Sequence, residues 1–116
     1  IISGESITNR EDALRTVKEM GSAILNISST LRKDREIVLE AVKQDGQLLK
    51  HASDELKGDR EIVTEAVKQK GFALQHASEE LRGDREIVME AVKQKHSGVA
   101  LQYASEELRR DLDGGT

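Results

Sequence analysis

Gly58 to Lys95 reads GDREIVTEAVKQKGFALQHASEELRGDREIVMEAVKQK. The phrase DREIV begins at Asp59 and returns at Asp84, and another copy begins at the same distance before, at Asp34. An equal step further back lies Asn9, which opens the divergent NREDALRTVKEMG. Forward from Asp84 the next matching aspartate, Asp111, comes late because His96-Ser97 is an insertion. The chain therefore divides into an extension (1–8), four units (9–33, 34–58, 59–83 and 84–110) and a stub, DLDGGT, over 111–116. A period of about 25 residues is the mark of a stacked repeat architecture.

The unit from Asp59 shows what each copy builds. Asp59 stands where an N-cap belongs, with Glu61 adding a favourable charge to the first turn. Ile62, Val63, Ala66 and Val67 then share one face of a helix. Gly71 is expected to stop that helix in the left-handed conformation. A second helix is expected from about Phe72, with Leu74, Ala77 and Leu81 on its inner face and Gly83 at its end. Each helix would hold about 11 residues and span roughly 16 Å. Two such helices joined by a short turn pack as an antiparallel hairpin. One hairpin buries too little to stand alone, so each copy serves as the wall for the next. The fold class expected is all-α: a right-handed α-solenoid of four stacked antiparallel hairpins, about eight short helices in all.

The composition agrees. At 116 residues there is room for one domain. Charged residues make up 34% and Phe, Trp and Tyr together 2%, with Phe72 and Tyr103 the only two of that kind. Ala, Val, Leu and Ile suit thin packing between helices, and their regular spacing argues against the disorder that so charged a chain otherwise invites. A net charge of −4 with interspersed signs offers no basic stripe, and nucleic-acid binding is disfavoured. With no cysteine there is no disulfide and no thiolate site, which fits an intracellular compartment, cytoplasm or organelle interior. No apolar run approaches the roughly 20 residues of a membrane span. Ile1-Ile2-Ser3-Gly4 does not read as a signal peptide, and a start without Met allows processing or trimming.

The matching text DREIVLEAVKQDG, DREIVTEAVKQKGFALQHASEEL, DREIVMEAVKQK and GVALQYASEEL resembles the domain of unknown function 4116 family. The resemblance is close over 34–110 and looser over 9–33. It implies a helical repeat found in algae, other protists and intracellular bacteria. It carries no established activity and no catalytic residues.

Several positions are candidates for contact with a partner. Ile24, Leu25 and Ile27 place extra apolar groups in the first unit, where a cap or a docking face is expected. Asn26, His51, His76 and Tyr103 repeat one position of the second helices and would line up as a ladder about 8–10 Å apart. The plainer reading of that ladder is a variable exposed position. A metal site on His51 and His76 has no third ligand at matching spacing. His96-Ser97 lengthens one turn on a rim where repeats often make contacts, or is simply a tolerated loop extension. The pairs Asp54-Glu55, Glu79-Glu80 and Glu106-Glu107 are expected to be solvated or to pair with Arg35, Arg60 and Arg85 at the junctions. Lys43-Gln44, Lys68-Gln69 and Lys93-Gln94 could grip a peptide backbone, though solubility alone accounts for them. Asn26-Ile27-Ser28 matches a glycosylation acceptor inside an expected helix.

Catalytic motifs, phosphate loops and calcium loops are missing, and no cofactor is expected. The reading is a non-catalytic helical-repeat module that presents side chains to a protein partner. The alternatives are a structural accessory subunit of a larger protein assembly, such as an organellar or photosynthetic one, associated peripherally with it, and an enzyme or enzyme regulator with an unrecognised site.

Overall fold

The computed structural model of the chain describes residues 7–93 and 103–106, and within them the fold is an all-α repeat. Helices α1 (Arg10–Glu19), α2 (Arg35–Gln44), α3 (Arg60–Gln69) and α5 (Arg85–Val92) begin at even intervals, each on the arginine of its unit. Helix α4 (Glu79–Arg82) is a single turn between α3 and α5. Gln94, His96, Ser97, Glu107 and the stub 111–116 lie outside the described residues.

The long helices start for the reason the sequence indicates. Asn9 Oδ1 accepts the Asp12 amide at 3.0 Å. Asp34 accepts from Glu36 and Ile37, and Asp59 and Asp84 accept from Ile62 and Ile87, all within 3.2 Å. Each carboxylate or amide oxygen thus satisfies amides that the first turn leaves without an intrahelical acceptor.

The helices end differently from expectation. Met20, Asp45 and Lys70 are extended, with φ of −147°, −154° and −141°, and each closes its helix by donating its amide to a carbonyl one turn back. Gly71 is not a left-handed stop: it opens a 3-10 helix, Gly71–His76, as Gly21 and Gly46 open Gly21–Asn26 and Gly46–His51. Glycine is needed at Gly46 for proximity. A Cβ there would overlap the Ala66 carbonyl oxygen of the next unit and sit 3.0 Å from its carbonyl carbon.

The expected second helix is also broken in two. After the 3-10 segment the chain becomes extended at Ala52 and Ala77, with ψ of 161°. The next residue then bonds sideways: Ser53 N to Arg32 O (3.2 Å), Ser78 N to Lys57 O (2.8 Å) and Ser105 N to Arg82 O (2.9 Å). A continuous α-helix would spend those amides within itself. Ser28, Ser53 and Ser78 instead each start a new turn, their hydroxyls accepting from the amides of Leu31, Leu56 and Leu81. The first unit joins the same ladder, since Ser28 N donates to Ile7 O at 2.9 Å and Ile7 pairs with Ile27 in an isolated bridge.

Two rows result. Helices α1, α2, α3 and α5 pack side by side, and the 3-10 segments pack against one another and against the helices. Between the rows lie Ile37, Val38, Ala41 and Val42 and their counterparts Ile62, Val63, Ala66 and Val67, with Ile24, Leu49 and Leu74 opposite. All of these are fully buried, and no polar or charged residue among the described ones is. The radius of gyration is 15.3 Å, against about 13 Å for a compact globule of this length. The molecule is a short rod of stacked units.

Candidate functional site

Arg10, Arg35, Arg60, Gln44 and Gln69 of the helix row hold the stack together. Arg10 reaches Asp34 and Glu36, with both Arg10 contacts at 2.5 Å. Arg35 bridges Asp59 (2.7 Å) and Glu61, and Arg60 bridges Asp84 and Glu86 in the same manner. Each Asp therefore caps its own helix and receives the guanidinium of the preceding unit. The expected Arg ladder at the junctions exists, but its carboxylates are the cap and first-turn acids. Asp54, Glu55, Glu79 and Glu80 stand exposed outside it. The reason is reach: Arg is the first helical residue, beside the next unit's N-terminus, where a paired acid also meets the positive helix end.

A second staple closes the other end of the helices. Gln44 Nε2 donates to Val17 O (2.6 Å) and Lys18 O (3.1 Å), while its Oε1 accepts from Gly21 N at 2.6 Å. Gln69 Nε2 donates to Lys43 O in the same way. The glutamines do grip a peptide backbone, that of their own preceding unit, and they satisfy carbonyls left open at the helix end. The signal in the sequence was Gln at one fixed position in every inner unit.

The Arg35 guanidinium, and after it the first-turn amides, hold the Asp59 carboxyl below its ordinary range against the opposing effect of partial burial. Asp34 and Asp84 are lowered by the same causes. A lowered folded-state value means stability that is complete above the unfolded-state value of about 3.9 and is lost as pH falls through the folded-state values. Asp59→Asn keeps a capping oxygen and removes the charge. The variant is expected to unfold at lower denaturant than the parent at pH 7, with the gap closing as pH falls through the lowered folded-state value of Asp59. A gap that persists at acid pH would show the loss to be one of capping.

The 3-10 row is where the polar groups remain available. Ile24 and Ile27, expected as docking residues, are 0% and 2% exposed. They occupy the core positions of Leu49 and Ala52, so neither can meet a partner. Leu25, at 49%, is exposed. Asn26 is exposed, and His51, His76 and Tyr103 are half-buried at equivalent positions. His51 and His76 are close enough to influence each other, and both are held below the usual imidazole range by burial first. Arg32, Lys50 and Lys57 add to this at His51, and Lys50 and Lys57 at His76.

These stapled, side-by-side units define an all-α tandem-repeat protein. The sequence profile of a family described as a domain of unknown function, DUF4116, matches residues 9–57 and again 59–109, so each match is about two periods long. The chain belongs to that family. No curated protein and no solved structure matches it.

Proposed function

We propose that the chain is a non-catalytic interaction module whose 3-10 row presents the recognition surface to a protein partner. The observation that carries this reading is the unequal use of polar groups. On the helix row Arg10, Arg35, Arg60, Gln44 and Gln69 are consumed by the stack. On the other row Asn26, His51, His76 and Tyr103 recur once per unit, exposed or half-buried, and their side chains form no such staple among the described residues. A rigid ladder of this sort binds by geometry, since its spacing is set before any partner arrives. The test is a photo-crosslinking residue placed at His51, His76 or Tyr103, and in parallel at Lys43 or Lys68. One protein species captured from the first set and not from the second supports the reading. Equal capture from both rows, or none, overturns it.

A second reading, an accessory subunit of a larger assembly, is favoured by the first unit. Leu14 lies in a groove of about 400 Å³ with Glu11, Arg15, Lys18 and Glu19, and Met20 and Leu25 are 63% and 49% exposed. A built-in subunit of this kind is expected to self-associate when purified alone, and Met20→Gln with Leu25→Lys to abolish that. A parent chain that stays monomeric at high concentration in a sedimentation experiment removes the support.

A further inference from the structure

One junction of the stack differs in charge from the next although its framework is the same. A cleft of about 340 Å³ lies between the turn ending at Lys33 and the 3-10 segment ending at His51. Arg32, Lys33, Lys50 and His51 line it together with Ser29 and Ser53. Its cations face one carboxylate, Asp54. At the following junction the same positions hold Asp54, Lys57, Gly58, Gln75, His76 and Glu79, a single cation against two acids. A group of residues with a purely structural role would recur with the framework, as the Arg and Gln staples do. This one does not recur.

We propose that this cleft is a binding site for a phosphate monoester. Arg10, Arg35 and Arg60 all have carboxylate partners, whereas Arg32, Lys33 and Lys50 have no ion-pair partner among the described residues. Arg32 is held in place, its Nη2 donating to Leu25 O at 3.0 Å; its Nε is buried with no acceptor, as is that of Arg82 two units on, so that feature belongs to the framework. An immobilised guanidinium, two ammoniums and two hydroxyls in one recess are the donor set that a tetrahedral dianion uses. The recess is large enough for a phosphoryl group and part of what carries it. Occupancy would also relieve the repulsion that Arg32, Lys50 and Lys57 impose on His51, so His51 reports on binding directly.

The inference is separate from the interaction-module reading, which the crosslinking pattern tests and which survives if no anion binds. The experiment is a titration of the intact chain with inorganic phosphate at constant ionic strength, followed through the ring resonances of His51 and His76. The expected result is saturable movement of His51, larger than that of His76, with its titration midpoint shifted upward. Lys33→Gly with Lys50→Gln gives the cleft residues that the next unit already carries without loss of fold, and is expected to weaken binding at least tenfold. Asp54→Asn is expected to tighten it. Equal movement of the two histidines, the same response to sodium chloride, or undiminished binding in the double variant overturns the proposal. Two further arms compare free O-phosphoserine with a phosphoserine peptide. Tighter binding of the peptide assigns the site to a phosphorylated protein, and equal binding assigns it to a small phosphorylated metabolite.

Discussion

Gly46→Ala is expected to lower the stability of the chain by about 2–3 kcal/mol, the upper part of the usual range of about 1–3 kcal/mol for forcing a methyl group into a packed site. That corresponds to a fall in melting temperature of roughly 10 °C for a domain of this size. The added Cβ would meet the backbone of Ala66, which cannot rotate away as a side chain could. The unit would have to lift off its neighbour, loosening the Leu48 and Leu49 contacts with α3. Gly58→Ala is the control, because the nearest atom to its Cβ would be Ser78 Oγ at 3.6 Å, an ordinary contact. That variant is expected to be neutral or stabilised by about 0.4–1 kcal/mol through the unfolded chain. Denaturant midpoints measure both. Equal values for the two would mean the close approach at Gly46 does not exist.

Ile62→Ala should cost more, about 3–4 kcal/mol within the range for a buried Ile. Ile62 is fully buried in α3, an inner helix with a neighbour on either side, so the cavity weakens two junctions. In a stack each unit depends on those it touches, and the loss should appear first in amide exchange of α2, α3 and α5, with α1 protected longest. Met89, 41% exposed on the outer face of α5, is the comparison. Met89→Ala is expected to change stability by less than about 0.5 kcal/mol. Uniform loss of protection along the whole chain after Ile62→Ala would indicate a single shared core in place of a stack.

Much of this architecture was legible in the letters. The DREIV spacing placed the long helices, and the caps at Asp34, Asp59 and Asp84 are set by local hydrogen bonding that a carboxylate makes with its own first turn. The second half of each unit was misread because apolar spacing alone cannot separate an α-helix from a 3-10 segment followed by a turn. Leu74, Ala77 and Leu81 are all buried either way. A clue was present: Ser28, Ser53, Ser78 and Ser105 recur at one position, each just ahead of a Leu, which is a helix-start pattern in the middle of a supposed helix. Gly71 was misread for a related reason: a glycine after a helix is ordinarily explained by φ, whereas at the equivalent Gly46 it is contact with a distant backbone, which leaves no local trace. Ile24 and Ile27 show the same limit, for aligning them with Leu49 and Ala52 would have placed them in the core.

The charges divided along similar lines. Arg partners at the junctions were anticipated, but the choice among acids depended on which helix end each Arg adjoins. The cleft at Arg32 and Lys50 joins residues of two different units across a junction, a proximity that exists only once the units are stacked.

The sideways bond from Ser105 to Arg82 encloses a longer stretch of chain than those from Ser53 to Arg32 and Ser78 to Lys57. The surplus is the inserted His96-Ser97, and it has been absorbed without throwing the lattice out of phase. Unit length is thus a soft variable, and pitch is governed by the lateral pairing. A change of two residues in unit length should therefore leave the Ser105–Arg82 pairing, and with it the rod's periodicity, unchanged.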